Sequence, residues 1–191
     1  CQASGAVSGS TYVGGLVGIM AGDGDKALKA VVRSSSASGD VSGEYAGGLV
    51  GQNGIAAEIK FSSAEGKLSC KSFGMYVGGL VGLNKGNIDN SYAIGTVSGQ
   101  FSAGGLVGKN EGLIDKAYAA GAVTGISAGG LCSSSTGTIT ASYWDSETTG
   151  QSTSSGGSSL TTAQMQQQSS FSGWDFSTVW TIKAGSYPTL R

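Results

Sequence analysis

Side chains able to do chemistry are sparse in this chain. Of its 191 residues only 12% are charged, eleven bases against twelve acids, and histidine is absent. A Ser-His-Asp or Cys-His nucleophile, or a His-ligated zinc centre, would need an imidazole. The three cysteines, Cys1, Cys70 and Cys132, show no C-x-x-C spacing for a zinc or redox pair. Cys70 and Cys132 are candidates for a disulfide if the chain is exported. Cys1 is then left for an intermolecular bond, for a lipid anchor after leader cleavage, or simply as a cleavage boundary. Asp23-Gly24-Asp25 is the candidate metal site, but calcium takes six to eight oxygens and no Glu follows at EF-hand spacing. A polar loop tip explains those aspartates as well. Gly104 to Lys109 has the look of a phosphate loop, yet Ala103 stands where its first Gly is needed and Asn110 replaces the magnesium-binding hydroxyl. Asp89 and Asp115 are the carboxylate pair that glycoside hydrolysis would require to face one cleft. Tyr92, Tyr118 and Tyr143 are candidates for stacking against sugar rings. No cofactor is implied.

What positions these residues is an internal repeat. Gly-Gly-Leu recurs at Gly14, Gly47, Gly78, Gly104 and Gly129, at intervals of 33, 31, 26 and 25 residues. A second signature, Ala-x-Gly-x-(Val/Leu), starts at Ala3, Ala37, Ala64, Ala93 and Ala119. Five residues before it stands Val32, Ile59, Ile88 or Ile114, and Ile139 continues the series with Trp144 in the Ala slot. Two signatures that keep phase over five units mark a repeat architecture. The longer first unit predicts an inserted loop between Ile19 and Val31, and a smaller insertion falls around Cys70.

The unit alternates with period two and has no helical stripe, so it predicts strands. Two or three short strands per unit, joined by turns at Asn53-Gly54, Lys85-Gly86-Asn87 and Asn110-Glu111-Gly112, fit one coil of a solenoid. The expected fold is therefore all-β: a β-solenoid, parallel β-helix-like, of about five 25–33-residue repeats. Glycine, 35 residues in all, is expected to let the walls approach and to supply positive φ at corners. An antiparallel sandwich built from hairpins is the competing architecture.

The pattern stops at Asp145. Residues 1–144 read as the repeat region and 145–191 as a C-terminal cap. The cap comprises a Ser/Thr/Gly loop, one short helix N-capped by Thr161 or Thr162, and an aromatic-rich end with Phe171, Trp174, Phe176 and Trp180. Capping an open solenoid end explains the aromatics better than a binding patch.

The Gly-Gly-Leu-Val-Gly units, with a following Asn-x-Gly-x-Ile-x-x-x-Tyr-Ala-x-Gly-x-Val, resemble GLUG-motif repeats. The match is nearest over Gly78 to Val97 and Gly104 to Val123. Such repeats occur in large surface proteins: haemagglutinin-like adhesins, biofilm-matrix proteins and the non-catalytic part of IgA-specific peptidases. The resemblance implies an extracellular, cell-surface location and structural or adhesive work, and it carries no catalytic residues. A peptidase would need His-Glu-x-x-His.

Scattered bases argue against nucleic acid, and no run of 18 apolar residues spans a membrane. The expectation is a non-enzymatic, self-assembling structural protein of a filament, sheath, surface layer or adhesin, with copies of itself as partners. A module binding glycans or a host surface is the first alternative. A carboxylate-dependent polysaccharide-degrading enzyme is the second.

Overall fold

A computed structural model of the chain describes residues 1–22, 29–70 and 75–191. The backbone winds through five stacked coils, each contributing one short strand to each of five parallel sheets. The fourth coil shows the plan: Tyr92–Ala93, Val97–Ser98, Ser102–Gly104, Val107–Asn110 and Leu113–Asp115. Every strand pairs with its equivalents in the coils before and after. Thus Gly14, Gly47, Gly78, Gly104 and Gly129 stand in register, as do Val32, Ile59, Ile88, Ile114 and Ile139. The parallel solenoid is the fold, and the sandwich is excluded by this pairing. The one antiparallel pair among the described residues, Trp180–Thr181 with Thr189–Leu190, lies outside the coils.

Three expectations need revision. Each coil has five strands rather than two or three, because the Gly pair and each corner break the run after two to four residues. The Asn-Gly segments do turn the chain, but their flanking strands belong to different sheets and make no hairpin. The repeat glycines do not supply positive φ either. Among the described residues the glycines with that conformation are Gly150, Gly156, Gly157, Gly173 and Gly185, all beyond the coils. Left-handed corners inside the solenoid are made by Ser34, Phe61, Asn90, Lys116 and Ala141, one per coil at one register position, and Ala56 adds a further left-handed residue at the turn before Ala57.

Close approach is what the repeat glycines provide. A Cβ on Gly48 would sit 2.2 Å from Gly79 O, and one on Gly66 2.0 Å from Gly39 O. Both contacts lie along the stacking direction, where strands of neighbouring coils are only about 4.8 Å apart. A methyl there would force the coils apart and break the Leu49 N–H to Leu80 O and Leu80 N–H to Leu106 O bonds, 3.0 and 2.8 Å long.

The interior has two lobes. One holds the Leu49, Leu80, Leu106 and Leu131 column with the isoleucines, Val50, Val81 and Val107, and the small Ala37, Ala64, Ala93 and Ala119. The other packs Val41, Leu68, Val97 and Val123 against Val13, Ala46, Val77 and Ala103. Burying each such leucine contributes roughly 1.5–3 kcal/mol, a gain one coil alone could not collect. The insertions do not disturb this stack: Ala30 to Arg33 stays in register with Ala57 to Lys60 beyond the first.

The C-terminal residues divide between two tasks. Trp144 takes the Ala slot and closes the end of the first lobe, its ring filling the space a Cβ on Gly130 would enter. The segment behind it crosses the last coil: Gly130 N–H donates to Thr153 O, Ser155 N–H to Cys132 O, and Ser158–Leu160 adds a parallel strand. The aromatic-rich end does not sit on that opening. Phe171, Trp174 and Trp180 fold back along the solenoid's flank onto Tyr92, Tyr118 and Tyr143. Two short helices, not one, serve these turns. α1, Ser146–Thr149, is N-capped by Asp145. α2, Thr162–Met165, has the expected Thr161 cap in a full capping box with Gln164.

Candidate functional site

The coil geometry converts each repeat position into an axial column, so the candidate sites are columns. Tyr92 and Tyr118 stack with ring centroids 5.1 Å apart and planes 6° from parallel, as successive coils require. Their outer faces are covered. Trp180 lies 6.2 Å from Tyr92 and 6.1 Å from Tyr118, Tyr187 lies 6.2 Å from Tyr118, and Tyr118 donates its phenol proton to Pro188 O at 2.7 Å. Tyr118 is 1% exposed, and burial holds its phenol well above the usual range. Tyr143 is half-buried against Phe171 and Trp174. This column is the seat of the C-terminal segment and offers no open platform for a sugar at Tyr118.

A second tyrosine column is open to solvent. Tyr12, Tyr45 and Tyr76 follow one another in register with centroids 4.8 and 5.9 Å apart. All three are half-buried. Lys109 Nζ lies 5.5 Å from the centre of the Tyr76 ring while pairing with Glu111 at 2.7 Å, and that carboxylate pushes the lysine's pKa up. The exposed Met75, Phe101 and Ile126 precede the same strands. The signal for the column was present as Tyr-x-Gly-Gly-Leu in the first three units. It is masked in the last two, where Ser102 and Ser127 take the tyrosine's place.

The acidic candidates give no acid–base pair. Asp89 and Asp115 do stand side by side on adjacent strands. Asp89 accepts from Asn90 Nδ2 at 2.8 Å, and Asp115 accepts from Thr140 Oγ1 at 2.7 Å and pairs with Lys116. Lys116 and Thr140 hold the Asp115 carboxyl below its ordinary pKa against an opposing burial effect, the wrong direction for a general acid near neutrality. Lys85 belongs to Glu111 rather than to Asp89. Lys109, the lysine of the phosphate-loop lookalike, is spent on Glu111 and Tyr76. Asp23 and Asp25 lie outside the described residues. Among the described residues no three or more His, Cys, Asp or Glu converge as metal ligands.

The cysteines are dispersed. Cys132 is a free, wholly buried thiol in the first lobe, and burial pushes its pKa up to about 12. Cys70 packs against the second lobe, so the two cysteines of the candidate pair stand in different lobes. Cys1 is an exposed thiol.

Buried polar columns, which sequence reasoning missed, hold the corners. Asn53 Nδ2 donates to Asn84 Oδ1 and Asn84 Nδ2 to Asn110 Oδ1, each at 2.7 Å, and Asn110 Nδ2 reaches Ser135 Oγ at 3.1 Å. Ser35 and Ser62 offer their N–H groups to Ser62 Oγ and Ser91 Oγ at the left-handed corner.

These features define a class: a parallel β-solenoid repeat protein whose repeated residues serve coil stacking. The comparisons name the repeat. The GLUG motif matches residues 9–42 and 73–98, so the chain carries GLUG-motif repeats. A protein described as "Putative Gly-rich membrane protein", from Evansella cellulosilytica, is 37% identical over 135 residues. That match covers 69% of this chain but only 14% of the relative's length. No solved structure matches. No helix among the described residues is long and apolar enough to cross a membrane.

Proposed function

We propose that the chain is a non-enzymatic structural element of an extracellular surface assembly, such as a filament, sheath, surface layer or adhesin stalk, built from copies of itself. The observation that carries this reading is how the repeat spends its residues. Leucine, isoleucine, alanine, asparagine and glycine columns run coil to coil through the solenoid. They produce a stiff rod with few charges, and low charge leaves little long-range repulsion between copies. The relative's description as a membrane protein agrees with work at a cell boundary. Negative-stain microscopy and light scattering across a concentration series test it. Ordered fibres or layers are expected, and a compact monomer at every concentration would remove the self-assembly part.

A glycan-binding module is the second reading, favoured by the solvent-facing Tyr12, Tyr45 and Tyr76 column. A glycan-array signal abolished by Tyr45→Ala and untouched by Tyr143→Phe is its expected signature. The hydrolase reading gains nothing from Asp89 and Asp115, whose partners are described above.

A further inference from the structure

The chain has only two arginines, Arg33 and Arg191. Although distant in sequence, they line one groove of about 350 Å³ on the solenoid flank. The groove forms where the C-terminal segment passes the left-handed corners that follow the first and second coils. Phe61, Val179 and Leu190 give it an apolar lining, and Ser34 and Thr178 add hydroxyls.

Both guanidiniums are held in place by neutral groups. Arg33 lies over the Phe61 ring, its Cζ 4.9 Å from the centre, a contact that occupies a face of the guanidinium and not its N–H edges. Arg191 donates from Nε to Trp180 O and from Nη2 to Phe176 O, each at 2.9 Å, and its remaining N–H groups are not used in those bonds. The carboxylate that acts on Arg191, Asp175, is itself bound by Ser177 N–H, Thr178 N–H and Thr178 Oγ1. The salt bridges of the described residues are all made by lysines. Two guanidiniums without a salt-bridge partner among the described residues, beside an apolar lining, suit a planar carboxylate carried on a ring with an apolar face.

We propose that this groove binds a hexuronate unit of an acidic polysaccharide, its carboxylate between Arg33 and Arg191 and its ring over Val179 and Leu190. The site is independent of the structural reading above, since a rod can be built with or without it.

Isothermal titration of the full chain with digalacturonate tests the assignment, with cellobiose and sodium acetate as separate probes. Saturable binding of digalacturonate, weakened by added salt, is expected, with no saturable heat from cellobiose. Arg33→Ala should weaken it at least about tenfold, and Arg33→Lys, which keeps charge but loses the fork, should fall between. Arg33 is exposed, so thermal melts of both variants should overlay the parent. No digalacturonate binding by the parent, or binding that Arg33→Ala leaves unchanged, overturns the site. Acetate binding as tightly as digalacturonate overturns the sugar assignment.

Discussion

The indole nitrogen of Trp180 donates to Oδ1 of Asn90 at 2.8 Å, in a buried bond that joins the C-terminal segment to the corner between two coils. Asn90 is a left-handed corner residue with φ 44°, a conformation asparagine tolerates better than most side chains. One residue thus shapes the coil and receives the segment.

This bond predicts how the flank comes apart. Trp180→Phe keeps most of the apolar burial but strands Asn90 Oδ1, at a cost of about 1–3 kcal/mol. Trp180→Ala also empties a fully buried site and should cost about 3–5 kcal/mol. Urea melts should show both losses. If the flank opens separately from the coils, near-UV circular dichroism will change before the far-UV signal does.

Glycine substitutions separate the close-approach role from simple flexibility. Gly48→Ala would drive a Cβ to 2.2 Å from Gly79 O and 2.7 Å from the Ala64 side chain, so loss of more than about 3 kcal/mol is expected. Gly5→Ala meets nothing within 4 Å and lies outside the positive-φ set. It should be neutral or stabilise by up to about 1 kcal/mol through the unfolded chain. Equal melting temperatures for the two variants would defeat this account of the repeat.

The serine column carries a gap that can be filled. Each corner serine also returns its hydroxyl proton two residues back, as Ser62 Oγ to Lys60 O at 2.8 Å and Ser91 Oγ to Asp89 O at 2.9 Å. Ala117 occupies the corresponding place in the next coil, and Ser142 resumes the column by accepting from Ala117 N–H at 3.1 Å. Ala117→Ser adds one hydroxyl at a site where neighbouring coils already accommodate it. A gain of about 1 kcal/mol in unfolding free energy is expected, read from the denaturation midpoint at constant slope.

The repeat phase, the parallel stack and the apolar columns were legible because stacking forces like residues into register over five units. The second tyrosine column was legible in principle, but it spans three units and then changes identity at Ser102. Other features were not. Asn53 and Asn110 looked like turn residues and Asn84 gave no signal, and only coil stacking reveals their amides bonding one another. The aromatic end announced burial without direction: Trp144 plugs the core, whereas Trp174 and Trp180 turn back onto the flank. Arg33 and Arg191 could not be joined from sequence, since no local pattern encodes a contact made by a returning segment.

Cys132 stands where the four preceding coils place Val17, Val50, Val81 and Val107. It is the repeat's own exception at a wholly buried site. Native protein should therefore react with a maleimide at Cys1 but not at Cys132, which becomes reactive only on unfolding. The same burial sets a pH dependence. The native thiol keeps its proton up to about pH 12, whereas an unfolded cysteine loses it near pH 8.5. Below the unfolded value the neutral thiol's contribution is fully present. Above it the unfolded state is favoured by about 1.4 kcal/mol per pH unit, until the folded value is reached. Cys132→Val restores the valine column, so it should preserve or raise stability at pH 7 and flatten this alkaline decline. Guanidinium melts of parent and variant at pH 7, 9 and 10 measure both effects. Parallel pH profiles would show that the thiol is not what the alkaline limb reports.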